Sequence, residues 1–260
     1  MDYDWRIFAI LIVGMLIIGY LRTKKKRKVN KRMPTRDFPK EWRSILELRV
    51  PFYQKLPSTK KRSFEKQIHI FLLNYKISGH QTEVTDLDRI LVAAGGVIPT
   101  FAIHNWHYSN LDEIIIFPNH FEIPSTGQLA KGLVGSGSME GKLWLSRIAL
   151  YKGFSDDKDQ KNVAIHEFIH LMDMEDGKID SILYDRMSEK DIEEWKEFAQ
   201  RKADKVGNEI FSIRGYAKAN AIEFLAVTGE FYFEDPDSLK SDHPELYRRL
   251  HKIFHPKKLL

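Results

Sequence analysis

Hydrophobic and polar positions follow several distinct rhythms along this chain. Between Ile7 and Leu21 the run IFAILIVGMLIIGYL holds fifteen residues without a charge or an amide, apolar on every side of a helix. Residues 40–80 show apolar positions at helical spacing, as in FEKQIHIFLLNYKISG, with a stop at Gly79. VTDLDRILVAAGGVIPTF (84–101) opens on Thr85 with Asp88 three residues later, a capping-box start, and predicts a helix that runs to Gly95-Gly96. LDEIIIFP (111–118) and KLWLSRIAL (142–150) are rich in β-branched or aromatic residues, are bounded by Pro or Gly, and predict strands. Between them GLVGSGSMEG leads into a strand, where a phosphate-cradling loop leads into a helix, so it predicts a flexible hairpin connection. KNVAIHEFIHLMD (161–173), which follows the acidic SDDKDQ, and YAKANAIEFLAVTGEFYF (216–233) predict two further helices.

Charge separates the amino-terminal end from the rest. Nine lysines and arginines fall between Arg22 and Arg36, residues 1–21 carry a net −1, and residues 37–260 are left at −3 although the whole chain is +5. A fold of that sign has no electrostatic footprint for nucleic acid, and no nucleic-acid partner is expected. As a helix the apolar run covers about 23 Å, short of the roughly 30 Å hydrocarbon core unless Tyr3, Trp5 and a snorkelling Arg22 extend it. Asp2 and Asp4 before it and Tyr20-Leu21-Arg22 after it do not make a cleavable signal peptide. A core helix could not draw nine positive charges in behind it. The expectation is a single-pass transmembrane anchor over 1–21, a basic linker over 22–36 facing anionic lipid, and a folded domain over 37–260. The same basic residues place that domain on the cytoplasmic side of the cell membrane. KKKRK also reads as a nuclear-localisation tract, a reading its apolar neighbour opposes.

Chemistry concentrates in HEFIH. On a helix His166 and His170 are about 400° apart, one turn, and so project from one face toward a common ion, while Glu167 is turned about 100° from His166 and can reach a water there. The chain has no cysteine, so a metal has to be held by imidazole and carboxylate. Two nitrogens do not complete a catalytic zinc site, and the third ligand is open between three carboxylates. Asp176 stands six residues after His170 but lacks a turning glycine before it, and Asp173 suits a role holding a histidine ring. Glu223 interrupts an apolar helical run, where an unpaired carboxylate would be costly and a metal is a strong partner. Glu230, seven residues on and on the same face, is its rival. Tyr216, two turns before Glu223, could reach an oxyanion formed at the metal. KLWLS, with a free edge, could pair with an extended substrate. The histidines of HIHIFLLN and the pair His104 and His107 are read as ordinary core or surface residues.

From about Asp37 to Pro256 the chain resembles the Mlc titration factor A (MtfA-like) metallopeptidases. The likeness is carried by VTDLDRILVAAGGVIP, LDEIIIFPNHF, NVAIHEFIHLMDMEDG, YAKANAIEFLAVTGEFYF and FEDPDSLKSDHPELYRRLHKIFHP. The resemblance implies a zincin-like α+β fold with a small mixed sheet above the active-site helix and an edge strand over the cleft. It also implies Zn²⁺ on His166, His170 and Glu223, Glu167 as base, Tyr216 on the oxyanion side, and aminopeptidase-type hydrolysis of a peptide or protein substrate. Asn220-Ala221-Ile222-Glu223 stands where the family has Asn-Pro-Ala-Glu, and KIDSILYD lacks the family's glycine and proline pattern. The expected protein is thus a membrane-anchored zinc peptidase. A tethered binding or regulatory protein with a structural or vestigial metal is the alternative, and no regulatory partner is specified.

Overall fold

The computed structural model describes residues 31–135, 139–156, 159–176, 188–205 and 221–256. From Arg32 onward they belong to one compact unit. In order come α1 (Lys40–Arg49), α2 (Pro51–Gln54), α3 (Ser58–Asn74), β1 (Lys76–Gly79), α4 (Asp86–Val97), β2 (Glu113–Phe117), β3 (Phe121–Glu122), β4 (Leu129–Ala130), β5 (Gly132–Val134) and β6 (Lys142–Ser146). Then follow α5 (Arg147–Gly153), α6 (Val163–Asp173) with a 3₁₀ turn at Met174–Asp176, α7 (Glu189–Lys205), α8 (Ala221–Glu234), α9 (Pro236–Asp242) and α10 (Pro244–Phe254). β1, β2 and β6 are parallel, and β5 closes the mixed sheet as an antiparallel edge in the order β1-β2-β6-β5. β3 and β4 pair separately. The α+β class with a small mixed sheet therefore agrees with expectation.

Strand alternation sets the layering. Ile114, Ile116, Leu143 and Leu145 are fully buried on one face of the sheet, the period-two pattern of a half-covered strand. α6 packs against β5 and β6 on one side and against α4 and α8 on the others, so the helix bearing the HEFIH stretch lies at the centre of the unit.

The start of α4 forms as its sequence predicts. Thr85 Oγ1 accepts from the Asp88 N–H at 3.2 Å and Asp88 Oδ2 accepts from the Thr85 N–H at 2.8 Å, a reciprocal cap. Asp88 is fully buried and also accepts from Arg147 Nε and Nη2, each at 2.9 Å, and from Tyr151 Oη at 3.0 Å. A bidentate, charge-assisted pair thus fastens the start of α4 to α5.

Four expectations need correction. Among the described residues no helix is long and apolar enough to cross a membrane. The expected transmembrane helix, and with it the expected place at the cell membrane, therefore has no support among them, and a run of fifteen residues covers as a helix about 23 Å of the roughly 30 Å hydrocarbon core. Residues 1–21 and most of the 22–36 tract lie outside the described residues. Second, Gly95-Gly96 do not stop α4, which continues to Val97. A Cβ at Gly95 would collide with the Ala164 side chain, and one at Gly96 would sit 2.6 Å from Phe71 and 3.0 Å from Phe168. These glycines bring α4 close to α6, an approach that outweighs their poor helix propensity of about 1 kcal/mol each. Third, KLWLSRIAL is a strand only to Ser146, whose Oγ accepts from the Ala149 N–H at 3.4 Å and starts α5. Fourth, β6 has no free edge, being paired by β2 on one side and β5 on the other. The region 40–80 also holds the short strand β1, because KISG finds a partner in β2.

Candidate metal centre

Helix α6 starts at Asn162, whose Oδ1 accepts from the Ile165 N–H at 3.3 Å. The cap is therefore Asn162 rather than the carboxylates of SDDKDQ. Its Nδ2 donates to the Gly153 carbonyl at 2.9 Å and to Glu234 Oε1 at 3.2 Å. One side chain thereby links α5, α6 and α8 and sets where the next turn of α6 points.

That turn carries His166, and the next carries His170. Their Nε2 atoms are 3.0 Å apart. From α8, Glu223 places Oε2 3.1 Å from His166 Nε2 and Oε1 3.4 Å from His170 Nε2. Among the described residues these three form the group of histidine and carboxylate side chains able to share one metal ion, with ligand atoms all within 4.8 Å of one another. Glu230, two turns further along α8, accepts at Oε1 from His166 Nδ1 at 2.7 Å and at Oε2 from the Asn162 N–H at 2.7 Å. The sequence leaves Glu223 and Glu230 as rivals, and the structure brings both to the same histidine on opposite sides of its ring. Exposure separates them: the Glu230 side chain is 2% exposed and the Glu223 side chain 25%, so Glu223 faces the open side.

The hydrogen-bond inventory shows what the site needs. An ionised Glu230 only accepts, so His166 Nδ1 carries the proton and Nε2 presents a lone pair. That lone pair faces His170 Nε2 at 3.0 Å and Glu223 Oε2 at 3.1 Å, while Glu223 Oε1 lies 3.4 Å from His170 Nε2. The His166 Nε2–Glu223 Oε2 pair at least sets acceptor against acceptor, and a positive charge between them relieves it. Burial works to lower the His166 pKa, yet Glu230, Glu223 and Glu167 together outweigh it and hold that pKa well above the ordinary value. The two imidazoles hold the Glu223 carboxyl well below the usual carboxylate range against the opposing effect of burial. A divalent cation meets the same demand as the extra proton, with ligands it prefers. Ligand atoms about 2.0–2.1 Å from a tetrahedral zinc lie about 3.3 Å from each other, which the spacing of these donors fits.

Glu167 is 8% exposed and takes no part in that trio. Burial raises its pKa, with His166 and His170 opposing and Glu223 and Glu230 adding to the rise. A carboxyl raised in this way holds a proton more readily than an exposed one, which suits proton transfer. β5 passes directly over it. A Cβ at Gly132 would come within 2.5 Å of Glu167 Oε1 and 2.6 Å of its Cγ. Read from the sequence this glycine belongs to a hairpin, and β5 does pair antiparallel with β6, the Gly135 N–H donating to the Lys142 carbonyl at 2.8 Å. Its tertiary role is to leave room for Glu167. Gly132→Ala is expected to displace that carboxylate and lower kcat on the order of 10²-fold without reducing metal content, because small misplacements of reacting groups are that costly. Kinetics beside metal analysis on the folded variant check this, and unchanged kcat would contradict it.

Other predicted residues fall as follows. Asp176 lies in the 3₁₀ turn and is not one of the three grouped side chains. Asp173 is 2% exposed at the last position of α6. Tyr216, Asn220 and KIDSILYD lie outside the described residues. His107 stacks on Tyr75 and meets its hydroxyl through Nδ1 at 2.6 Å, and His69 packs edge-on to Phe38 and Trp42.

A helix presenting two imidazoles to a carboxylate from a second helix, with a buried glutamate beside them under an edge strand, defines a metallopeptidase-type centre. The chain belongs to the family of glucose-regulated metallopeptidases M90, which matches residues 21–255. It is 27% identical over 240 residues to an uncharacterized protein of Synechocystis, covering 86% of each chain. Mlc titration factor A of Serratia proteamaculans is 28% identical over 156 residues, 55% of this chain and 59% of that one. The protein of the same name from Yersinia pestis is 27% identical over 155 residues, 55% and 57% respectively. The chain thus spans under two thirds of the length of these Mlc titration factor A relatives.

Proposed function

We propose that this protein is a zinc-dependent peptidase in which His166, His170 and Glu223 hold the ion and Glu167 is the general base. The observation that carries the proposal is the convergence of His166 Nε2, His170 Nε2 and both Glu223 oxygens on one point at 3.0–3.4 Å, the spacing of ligand atoms around a tetrahedral ion. Nitrogen and carboxylate donors at this spacing, in a chain without cysteine, suit Zn²⁺. When bound there, the ion polarises a substrate carbonyl and makes water acidic enough to attack near neutral pH.

The chain's own residues do the rest. Glu230 holds His166 in one tautomer and one orientation, and Asn162 holds Glu230. Glu167 takes a proton at its carboxylate from the attacking water and delivers it to the departing amine. β5, the outer strand on that side of the sheet, is the element positioned to take an extended peptide by strand addition, in place of β6. Tyr216 as a donor to the developing oxyanion, and the preference for a free amino terminus, rest on resemblance to the Mlc titration factor A family.

Removing the metal tests the reading. Hydrolysis of amino-terminally free peptides is expected to stop after treatment with a chelator and to return with one equivalent of Zn²⁺ per chain, with blocked peptides cut more slowly throughout. Full activity of metal-free protein would count decisively against it.

A further inference from the structure

Glycines of four neighbouring elements meet α6 at close quarters. A Cβ at Gly95 of α4 would run into Ala164, one at Gly153 of α5 into Asn162, one at Gly132 of β5 into Glu167, and one at Gly229 of α8 into Ile169. Two of these contacts lie on opposing sides of the helix. Ala164 is turned about 200° from His166, away from the imidazoles, whereas Ile169 is turned about 60° from it, on the flank that faces α8. α6 is therefore stopped on one side by α4 and on the other by α8, the helix that brings Glu223 and Glu230 to His166.

Neither stop has slack. A Cβ at Gly95 would also lie 3.3 Å from the carbonyl carbon of Ala164 and 3.4 Å from its Cα, so there the obstacle includes backbone. At Gly229 the obstacle is Cδ1 of Ile169, with Phe254 Cζ of α10 3.2 Å away on another side. Ile169 is buried and β-branched, with one strongly favoured χ1 in a helix, and a close-packed interior leaves the end of its side chain little space to turn into. Because α4 backs α6, a methyl group added at position 229 is relieved by moving α8 outward.

We propose that Gly229, seated on Ile169, is a positioning residue that sets how far Glu223 and Glu230 reach toward the two imidazoles. The proposal rests on the reading of His166, His170 and Glu223 as metal ligands. Gly229 stands next to Glu230 and six residues, about 9 Å, after Glu223 in one continuous helix, so an outward shift at this point carries both carboxylates with it. Glu230 would draw back from His166 Nδ1, now 2.7 Å away, and Glu223 from the Nε2 atoms. A glycine is otherwise a poor choice inside a helix. Alanine here would favour α8 by its propensity and crowd the contact with its methyl group, two opposed effects on stability, whereas only the methyl group acts on the metal centre.

The test compares the full-length wild-type protein, Gly229→Ala and Gly229→Ala/Ile169→Val. The second substitution removes Cδ1, the atom that the new methyl group meets, and so keeps the volume of the pair. Zn²⁺ affinity is read by competition with a chromophoric chelator, and the urea midpoint is read on the metal-free proteins. Gly229→Ala is expected to bind Zn²⁺ about 10- to 100-fold more weakly, as when a group that orients a ligand is disturbed, with little change in midpoint. The double variant is expected to regain wild-type affinity. Unchanged affinity in Gly229→Ala overturns the inference, as does a loss that Ile169→Val fails to restore. A midpoint that falls and recovers in step with affinity, or a Gly229→Ala chain that does not fold, marks a merely structural contact and overturns it too. Absence of Zn²⁺ binding by the wild-type protein instead overturns the reading of the metal centre itself.

Discussion

Glu167→Gln is expected to lower kcat for peptide hydrolysis by about 10²- to 10⁴-fold, the range that a positioned acid–base group contributes, while metal content stays at the wild-type level. The substitution keeps the shape under β5, where Gly132 leaves no slack, and removes only the ability to accept a proton. Metal content is spared because Glu167 is not one of the grouped donors His166, His170 and Glu223. Its raised pKa, due first to burial, belongs to a group that holds and returns a proton. Single-turnover kinetics together with metal analysis read the two quantities apart. Wild-type kcat in this variant would remove Glu167 from the reaction, and loss of metal would make it a ligand.

The two carboxylates of α8 are expected to separate just as clearly. Glu223→Ala takes an oxygen donor from the open side of the trio and is expected to weaken metal binding by more than the roughly 100-fold that bounds an outer partner. Glu230→Gln leaves all three donors and is expected to weaken it by about 10- to 100-fold, because a buried amide neither carries the charge that draws His166 Nδ1–H nor fixes the ring as firmly. Competition with a chromophoric chelator measures both. Equal losses, or the larger loss in Glu230→Gln, would exchange the two roles.

Much of this was readable along the chain. The capping box at Thr85 and Asp88, the HEFIH helix and strand β2 followed from patterns confined to a few residues, where local hydrogen bonds and periodicity decide the outcome. The two histidines were legible as a pair because helical geometry alone puts residues four apart on one face. Glu223 and Glu230 were legible as unusual, being charged in an apolar run, but not as different from each other. Gly95 and Gly96 were misread as a stop because a glycine that permits close approach and a glycine that ends a helix look the same in sequence. β6 was misread as an edge because strand order is a property of the sheet.

The amino-acid sequence by itself determined the donor types, the absence of any thiolate, the spacing of His166 and His170, and the helices and strands that carry these groups. Only the tertiary structure decided which carboxylate faces the open side, which one meets His166 Nδ1, and which strand covers Glu167. The physical reason is range: capping and periodicity act within a few residues, whereas Glu223 and Glu230 meet His166 across 57 and 64 positions, through the packing of α8 on α6.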